Sequence, residues 1–251
     1  MKKTAFITGA TSGFGEAIAR AFAKENFNLI ILGRRKDRLE RLASELNDSE
    51  VHIINVDVRD KEKIFKEIEN LPQNFKNIEI LVNNAGLALG CEPVEKASLS
   101  DFETMIDTNI KGLVYITKAV LPIMSAKKSG YIFNIGSVAG TWPYPGGNVY
   151  GATKAFVKQF SLNLRNDIKG SNIRVTNIEP GLCKTEFSLV RFKGDIQKAD
   201  AMYENTKYIT AENIAQIIIN CAKLPENVNI NSLEVMATTQ SWAGFFFERD
   251  D

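Results

Sequence analysis

The sequence predicts an α/β protein: one domain built on a doubly wound parallel sheet with helices on both faces. Three observations carry this expectation. Short runs rich in Ile and Val alternate with longer helical patterns along the whole chain, the order that gives parallel strands joined by crossover helices. The strand runs are apolar throughout, as strands buried on both faces are. A glycine-rich turn joins the first strand to the first helix.

Residues 5–7 form the first strand. The helix after it starts near Gly13 and sets Ile18, Phe22 and Ala23 on one face. Residues 29–32 are the second strand. Residues 36–46 are helical, because Leu39, Leu42 and Leu46 recur at helical spacing. A strand over 51–56 and a helix over 61–69 follow, the helix with Ile64, Phe65 and Ile68 inward. Residues 78–82 are the fourth strand. A long helix is expected over 99–124, with a kink at Pro122, which has no N–H to give the helix. Residues 131–135 and 173–178 are strands around a helix over 148–169. Residues 182–209 carry many charges with weak periodicity, and read as a mobile segment with short helices. A helix over 211–222 and a strand over 230–236 complete the pattern. No repeat, low-complexity tract or Pro/Gly/Ser-rich linker interrupts it, so residues 1–251 are read as a single domain.

Composition removes several function classes. The 251 residues include 31 basic and 30 acidic side chains, a net charge of +1. That leaves no bulk electrostatic case for a nucleic-acid or membrane-surface partner. With 44% hydrophobic and 24% charged residues the chain is not of disordered composition. The three cysteines, Cys91, Cys183 and Cys221, form no C-x-x-C pair, and there is one histidine. Neither a disulfide framework nor a metal site is expected. His52, alone in a strand-like run, reads as structural. The first apolar stretch, Ala5-Phe6-Ile7, is too short for a signal peptide or a membrane span, and the expected location is the cytoplasm.

The turn after the first strand reads Thr8-Gly9-Ala10-Thr11-Ser12-Gly13-Phe14-Gly15. Glycine lets the backbone turn tightly and approach a ligand. The helix N-terminus adds unpaired N–H groups and partial positive charge, which suit a pyrophosphate. A turn that merely needs glycine is the plainer reading; its place in the first strand–helix unit favours a dinucleotide. The spacing is G-x-x-x-G-x-G rather than the general G-x-G-x-x-G.

Tyr150 and Lys154 are one helical turn apart and share a face. Ser137 falls at the end of a strand, where open α/β sheets bind ligands. A hydride transfer to a carbonyl needs a proton donor for the nascent alkoxide, and a tyrosine beside an ammonium suits that task.

The turn spacing resembles the short-chain dehydrogenase/reductase family, and the resemblance extends over nearly the whole chain. Asn83-Asn84-Ala85-Gly86 follows the fourth strand, Asn109 lies in the long helix, and Gly136-Ser137 ends the fifth strand. Tyr150-Gly-Ala-Thr-Lys154 comes next, then Pro180-Gly181 with Thr185. The resemblance implies a Rossmann-like domain whose catalytic residues are Asn109, Ser137, Tyr150 and Lys154. Tyr150 would be the general acid or base, Lys154 would lower its pKa and hold the nicotinamide ribose, Ser137 would bind the substrate oxygen, and Asn109 would hold a water. Cofactor contacts would come from Gly9, Thr11, Ser12, Gly13, Phe14, Gly15, Asn84, Tyr150, Lys154, Pro180, Gly181 and Thr185. Asp57 and Val58 would flank the adenine, although Asp57 also reads as a plain turn residue.

The second strand leads into Gly33-Arg34-Arg35 with no acidic residue at its end. An NAD site wants Asp or Glu there for the ribose 2′-hydroxyl, whereas Arg34 and Arg35 suit a 2′-phosphate. NADP is therefore the expected cofactor. The stretches 84–90, 142–150, 179–182 and 190–195 resemble the subgroup acting on β-hydroxy acids such as serine, allo-threonine and 3-hydroxypropanoate. A carboxylate substrate needs a cation. Arg191 is the first choice and Lys193 the second, with solvent-facing charges as the plainer reading of both. Two other readings stand: a reductase of neutral aldehydes or ketones, and a non-catalytic NADP-binding protein. By resemblance the chain forms a homotetramer, with the 99–124 and 148–169 helices at one interface. The apolar tail 242–247 needs burial, on its own domain or against a neighbour.

Overall fold

The structure, a computed structural model, describes residues 2–241. Each strand sends alternate side chains to opposite faces of the sheet. In β1 (Thr4–Thr8), Ala5 and Ile7 enter one apolar cluster and Phe6 enters the other. In β2 (Asn28–Leu32), Leu29 and Ile31 face the first cluster, Ile30 and Leu32 the second. Both faces are covered, which is why these strands are unbroken apolar runs.

The other strands are β3 (Val51–Ile54), β4 (Ile78–Asn83), β5 (Gly130–Ile135), β6 (Ile173–Pro180) and β7 (Ser232–Val235). All neighbours pair in parallel, in the order β3-β2-β1-β4-β5-β6-β7. The chain walks outward from β1 to β3, crosses back to β4, and walks the other way. That reversal opens a crevice at the carboxyl ends of β1 and β4, the place where such sheets hold ligands.

Helices α1 (Gly13–Lys24), α2 (Lys36–Glu45) and α9 (Ala211–Ala222) cover the first cluster with Ile18, Phe22, Leu39, Leu42, Ile214 and Ile218. Helices α3 (Lys61–Glu69), α5 (Leu113–Lys127) and α6 (Asn148–Asp167) cover the second with Ile64, Ile68, Ile116, Val120 and Leu164. Phe65, expected inward, is exposed instead; Ile64 and Ile68, one turn apart, take the buried face. His52 packs against Phe75 at 5.4 Å between ring centres, and burial pushes its pKa down.

The long helix differs from expectation. It consists of α4 (Leu99–Ile106), a π-helical turn at Asp107–Gly112, and α5. Pro122 does not break it, since α5 runs on to Lys127. Lys118, whose carbonyl loses its N–H partner there, is exposed, so water can take that place. The irregular turn surrounds Asn109, and π turns of this kind concentrate at functional sites. The segment 182–209 contains two short helices, α7 (Glu186–Arg191) and α8 (Ile196–Ala201). The tail 242–247 lies outside the described residues. No helix among the described residues is long and apolar enough to cross a membrane.

A buried chain of polar side chains ties the carboxyl ends of β4 and β5 to the helices behind them. Asn83 Nδ2 donates to Thr117 Oγ1 at 2.9 Å and to Asn134 Oδ1 at 2.8 Å. Asn134 Nδ2 donates to Ser161 Oγ at 2.8 Å, and Ser161 Oγ donates to the Val157 carbonyl at 2.7 Å. Removing Asn134 leaves one Asn83 N–H and one Ser161 lone pair buried and unmet, which costs more than a hydrogen bond contributes. Asn134→Ala is therefore expected to destabilise the fold by about 2–3 kcal/mol, read as a lowered urea midpoint with unchanged slope.

Candidate active site

The crevice holds a cleft of ≈ 540 Å³, running from Arg34, Arg35 and Asp57 at one end to Tyr144, Tyr150 and Arg191 at the other. The glycine turn forms its floor. Gly9 (φ +68°) and Gly13 (φ +53°) take left-handed backbone that other residues rarely adopt. At Gly15 a Cβ would fall 2.2 Å from the Gly9 carbonyl oxygen. Asn84 braces this turn from β4. Its Nδ2 donates to the carbonyls of Thr8 and Gly9 at 2.9 and 3.2 Å, and its backbone N–H donates to Thr8 Oγ1 at 3.0 Å. Asn84, expected as a cofactor contact, lines the cleft while its amide N–H groups hold the turn. Thr11, Ser12 and Phe14 line the cleft beside it.

At the end of β2, Arg35 lies over the turn, donating from Nη2 to Thr11 Oγ1 and Ser12 Oγ at 2.8 Å each. Arg34 points outward, with Nη1 3.7 Å from Asp57 Oδ2. Burial pushes the Asp57 carboxyl up, but hydrogen bonds from Arg59 more than offset this and hold it below the usual carboxylate range. Val58 is buried on the cleft wall against Gly112, where a Cβ would come within 2.7 Å of it.

At the other end, Ser137 follows β5 and Gly136. Its Oγ accepts from the Ala139 N–H at 3.1 Å and donates to the Pro180 carbonyl at 3.4 Å. Tyr150 and Lys154 project from one face of α6, both buried, with Lys154 Nζ 5.8 Å from the Tyr150 ring centre. Burial pushes the Tyr150 phenol up to about 12; the Ser137 hydroxyl and the Arg191 charge oppose the rise. Lys154 Nζ donates to the Ile135 carbonyl at 2.7 Å, and burial lowers its pKa to about 8. Two cations thus flank the Tyr150 ring, Arg191 at 5.1 Å and Lys154 at 5.8 Å from its centre. Asn109, presented by the π turn, donates from Nδ2 to the Leu87 carbonyl at 2.8 Å and to Thr153 Oγ1 at 3.0 Å. Its Oδ1 accepts from the Leu87 N–H at 2.9 Å. A Cβ on Gly86 would lie 3.2 Å from Asn109 Oδ1 and 3.5 Å from Lys154 Nζ, so both side chains close on that glycine.

Pro180 and Gly181 form the third wall. Thr185 caps α7, its Oγ1 accepting from the Phe187 N–H at 3.2 Å, and sits against Gly13. Arg191, the last residue of α7, is 7% exposed and turned into the cleft. It donates from Nη2 to the Tyr144 hydroxyl at 2.6 Å and stacks 5.1 Å from the Tyr150 ring centre. Its Nε is buried with no hydrogen-bond partner. Lys193 behaves differently: it is exposed and paired with Asp101 at 2.7 Å. The structure thus gathers Ser137, Tyr150, Lys154, Asn109 and Arg191 and excludes Lys193. Sequence reasoning missed Tyr144, Gln240 and Arg38. Gln240 accepts from the Leu182 N–H at 2.7 Å, closing the wall from the far end of the chain. Arg38 stands in the first turn of α2, three residues past Arg35, which caps that helix.

A glycine turn under a helix N-terminus, with a Ser, Tyr and Lys set across the same crevice, defines a dinucleotide-binding oxidoreductase. The chain belongs to the short-chain dehydrogenase family, whose sequence pattern matches residues 3–195. It is 56% identical over 244 residues to an NADP-dependent 3-hydroxy acid dehydrogenase of Escherichia coli strain K12, covering 97% of this chain and 98% of that one. It is 51% identical over 252 residues to sulfoacetaldehyde reductase 2 of Chromohalobacter salexigens, covering 100% of both. Among solved structures, a closed form of serine dehydrogenase complexed with NADP+ superposes with a TM-score of 0.95 at 54% identity, covering 98% of this chain and 100% of that one.

Proposed function

We propose that this chain is an NADP-dependent oxidoreductase interconverting β-hydroxy acids of the serine, allo-threonine and 3-hydroxypropanoate type with their 3-oxo acids or semialdehydes. The observation that carries the acid preference is Arg191: a buried guanidinium beside Tyr150 with an unpartnered Nε. A buried cation needs an anion, and arginine's parallel donors suit a carboxylate best. A neutral aldehyde or ketone would leave that donor unmet. The similarity to a sulfoacetaldehyde reductase favours a second reading, an aldehyde bearing a sulfonate, which the same guanidinium would bind.

The donor set also fits the cofactor. The glycine turn and α1 would hold the pyrophosphate, Arg34 and Arg35 the 2′-phosphate, Asp57 and Val58 the adenine, and Thr185 with Pro180 and Gly181 the nicotinamide end. NADP supplies or accepts the hydride when bound. The chain does the rest. Ser137 Oγ hydrogen-bonds the substrate oxygen, and Tyr150 gives that oxygen its proton in reduction and removes it in oxidation. With its pKa near 12 the phenol is protonated at neutral pH, the form that reduction needs. Lys154 holds the ribose and is linked to solvent by a water held on Asn109. The segment 182–209 covers the substrate and brings Arg191 with it. The proposal includes a cytoplasmic homotetramer; exposed Ile106 and Leu162 on α4 and α6 support an interface there.

Tyr150→Phe keeps shape and removes the proton. It is expected to lower kcat at least about 100-fold while cofactor binding, followed by fluorescence titration, is kept. Near wild-type turnover in the folded variant would refute the assignment. Arg191→Met is expected to raise KM for serine roughly 10- to 100-fold and to leave a neutral aldehyde nearly unaffected. Equal losses on both substrates would mean that Arg191 supports the covering segment and does not bind the acid.

A further inference from the structure

Arg35 and Arg38 share one acidic partner. Arg35 Nη1 donates to Glu186 Oε2 at 2.9 Å, and Arg38 Nη1 donates to Glu186 Oε1 and Oε2 at 2.6 and 2.9 Å. The other Arg35 donors are engaged as well, Nη2 with Thr11 and Ser12 as described, and Nε with Thr11 Oγ1 at 3.2 Å. Glu186 comes from 151 residues along the chain and opens α7, the helix that ends in Arg191.

The acceptors around Arg35 respond differently to an arriving anion. The hydroxyls of Thr11 and Ser12 can rotate and donate to a phosphate oxygen. An ionised carboxylate can only accept. Burial pushes the Glu186 carboxyl up, but the bonds from Arg35 and Arg38 outweigh it and hold it below the usual carboxylate range, so it stays charged. A carboxylate on these guanidinium groups takes donors that a phosphate needs, and it repels the phosphate charge. Whether the phosphate shares the arginines with the carboxylate or displaces it, the sign of the effect is the same.

We propose that Glu186 is a specificity-determining residue that opposes the 2′-phosphate by competing for Arg35 and Arg38. The inference rests on the NADP reading above. Dinucleotides without the 2′-phosphate leave the Glu186 bridge intact and are indifferent to it. Glu186 then weakens what Arg35 and Arg38 can give the 2′-phosphate, leaves Arg34 untouched, and narrows the margin over NAD.

The test uses the full chain, Glu186→Gln, and two probes that lack the nicotinamide: 2′,5′-ADP and 5′-AMP, titrated by calorimetry. Glutamine keeps the size and removes the charge. The 2′,5′-ADP dissociation constant is expected to fall about 2- to 5-fold, the scale of part-exposed ion pairs, with 5′-AMP unchanged. In an Arg35→Met, Arg38→Met background the same substitution is expected to have no effect. An unchanged or weakened 2′,5′-ADP affinity in Glu186→Gln overturns the inference, weakening being the mark of a strut that holds the arginines in place. A wild type that binds 2′,5′-ADP no better than 5′-AMP overturns the NADP reading itself, so the two failures are distinct.

Discussion

The clasp between the ends of β1 and β4 is the constraint on which the site depends. Asn84 donates two hydrogen bonds to Thr8 across the point where the strand order reverses. Thr8 Oγ1 also accepts from the Ala85 N–H at 3.0 Å. These bonds hold Gly9 against β4 and fix where α1 begins, and no Cβ fits at Gly15 beneath them. The crevice therefore has a rigid floor. The buried asparagine chain through Asn83 and Asn134 extends the same rigidity to α5 and α6, and so to Tyr150 and Lys154. Side chains held on strands and helices keep their geometry better than groups on loops, and Tyr150 and Lys154 stand on the 20-residue α6.

Burial sets the protonation chemistry. Tyr150 and Lys154 lie in low-dielectric surroundings that disfavour both charged forms, raising one pKa and lowering the other. Arg191 is the compensating charge. It contacts the rings of Tyr150 and Phe187, bonds Tyr144 and lines the same cleft. Cation–aromatic contacts of this kind hold an arginine in place while leaving donors free.

Much of this was legible in the sequence, because it depends on local pattern. Apolar runs such as 29–32 identify strands buried on both faces. The glycine turn and the Ser137, Tyr150 and Lys154 spacing bring these residues to one cleft, since each position is set by its own strand end or helix turn. What was not legible depends on contacts between distant segments. The proline at 122 suggested a kink, but the irregular turn lies at Asn109, where the side chain must reach Leu87 and Thr153. Tyr144 and Gln240 enter the cleft only through tertiary packing. Lys154 lies beside the Tyr150 ring, as the one-turn spacing predicts, but its ammonium also takes the Ile135 carbonyl, a bond that no spacing rule reports. The choice between Arg191 and Lys193 turned on the end of α7, which points one inward and lets the other pair with Asp101.

The central claim is that one cleft selects a 2′-phosphate at one end and an acid group at the other. The most direct measurement is kcat/KM of the wild-type protein for serine, allo-threonine, 3-hydroxypropanoate and a neutral secondary alcohol, each with NADP and with NAD. The account predicts that the hydroxy acids outrun the neutral alcohol and that NADP outruns NAD on every substrate. A neutral alcohol turned over as well as the acids, or NAD used as well as NADP, would contradict it.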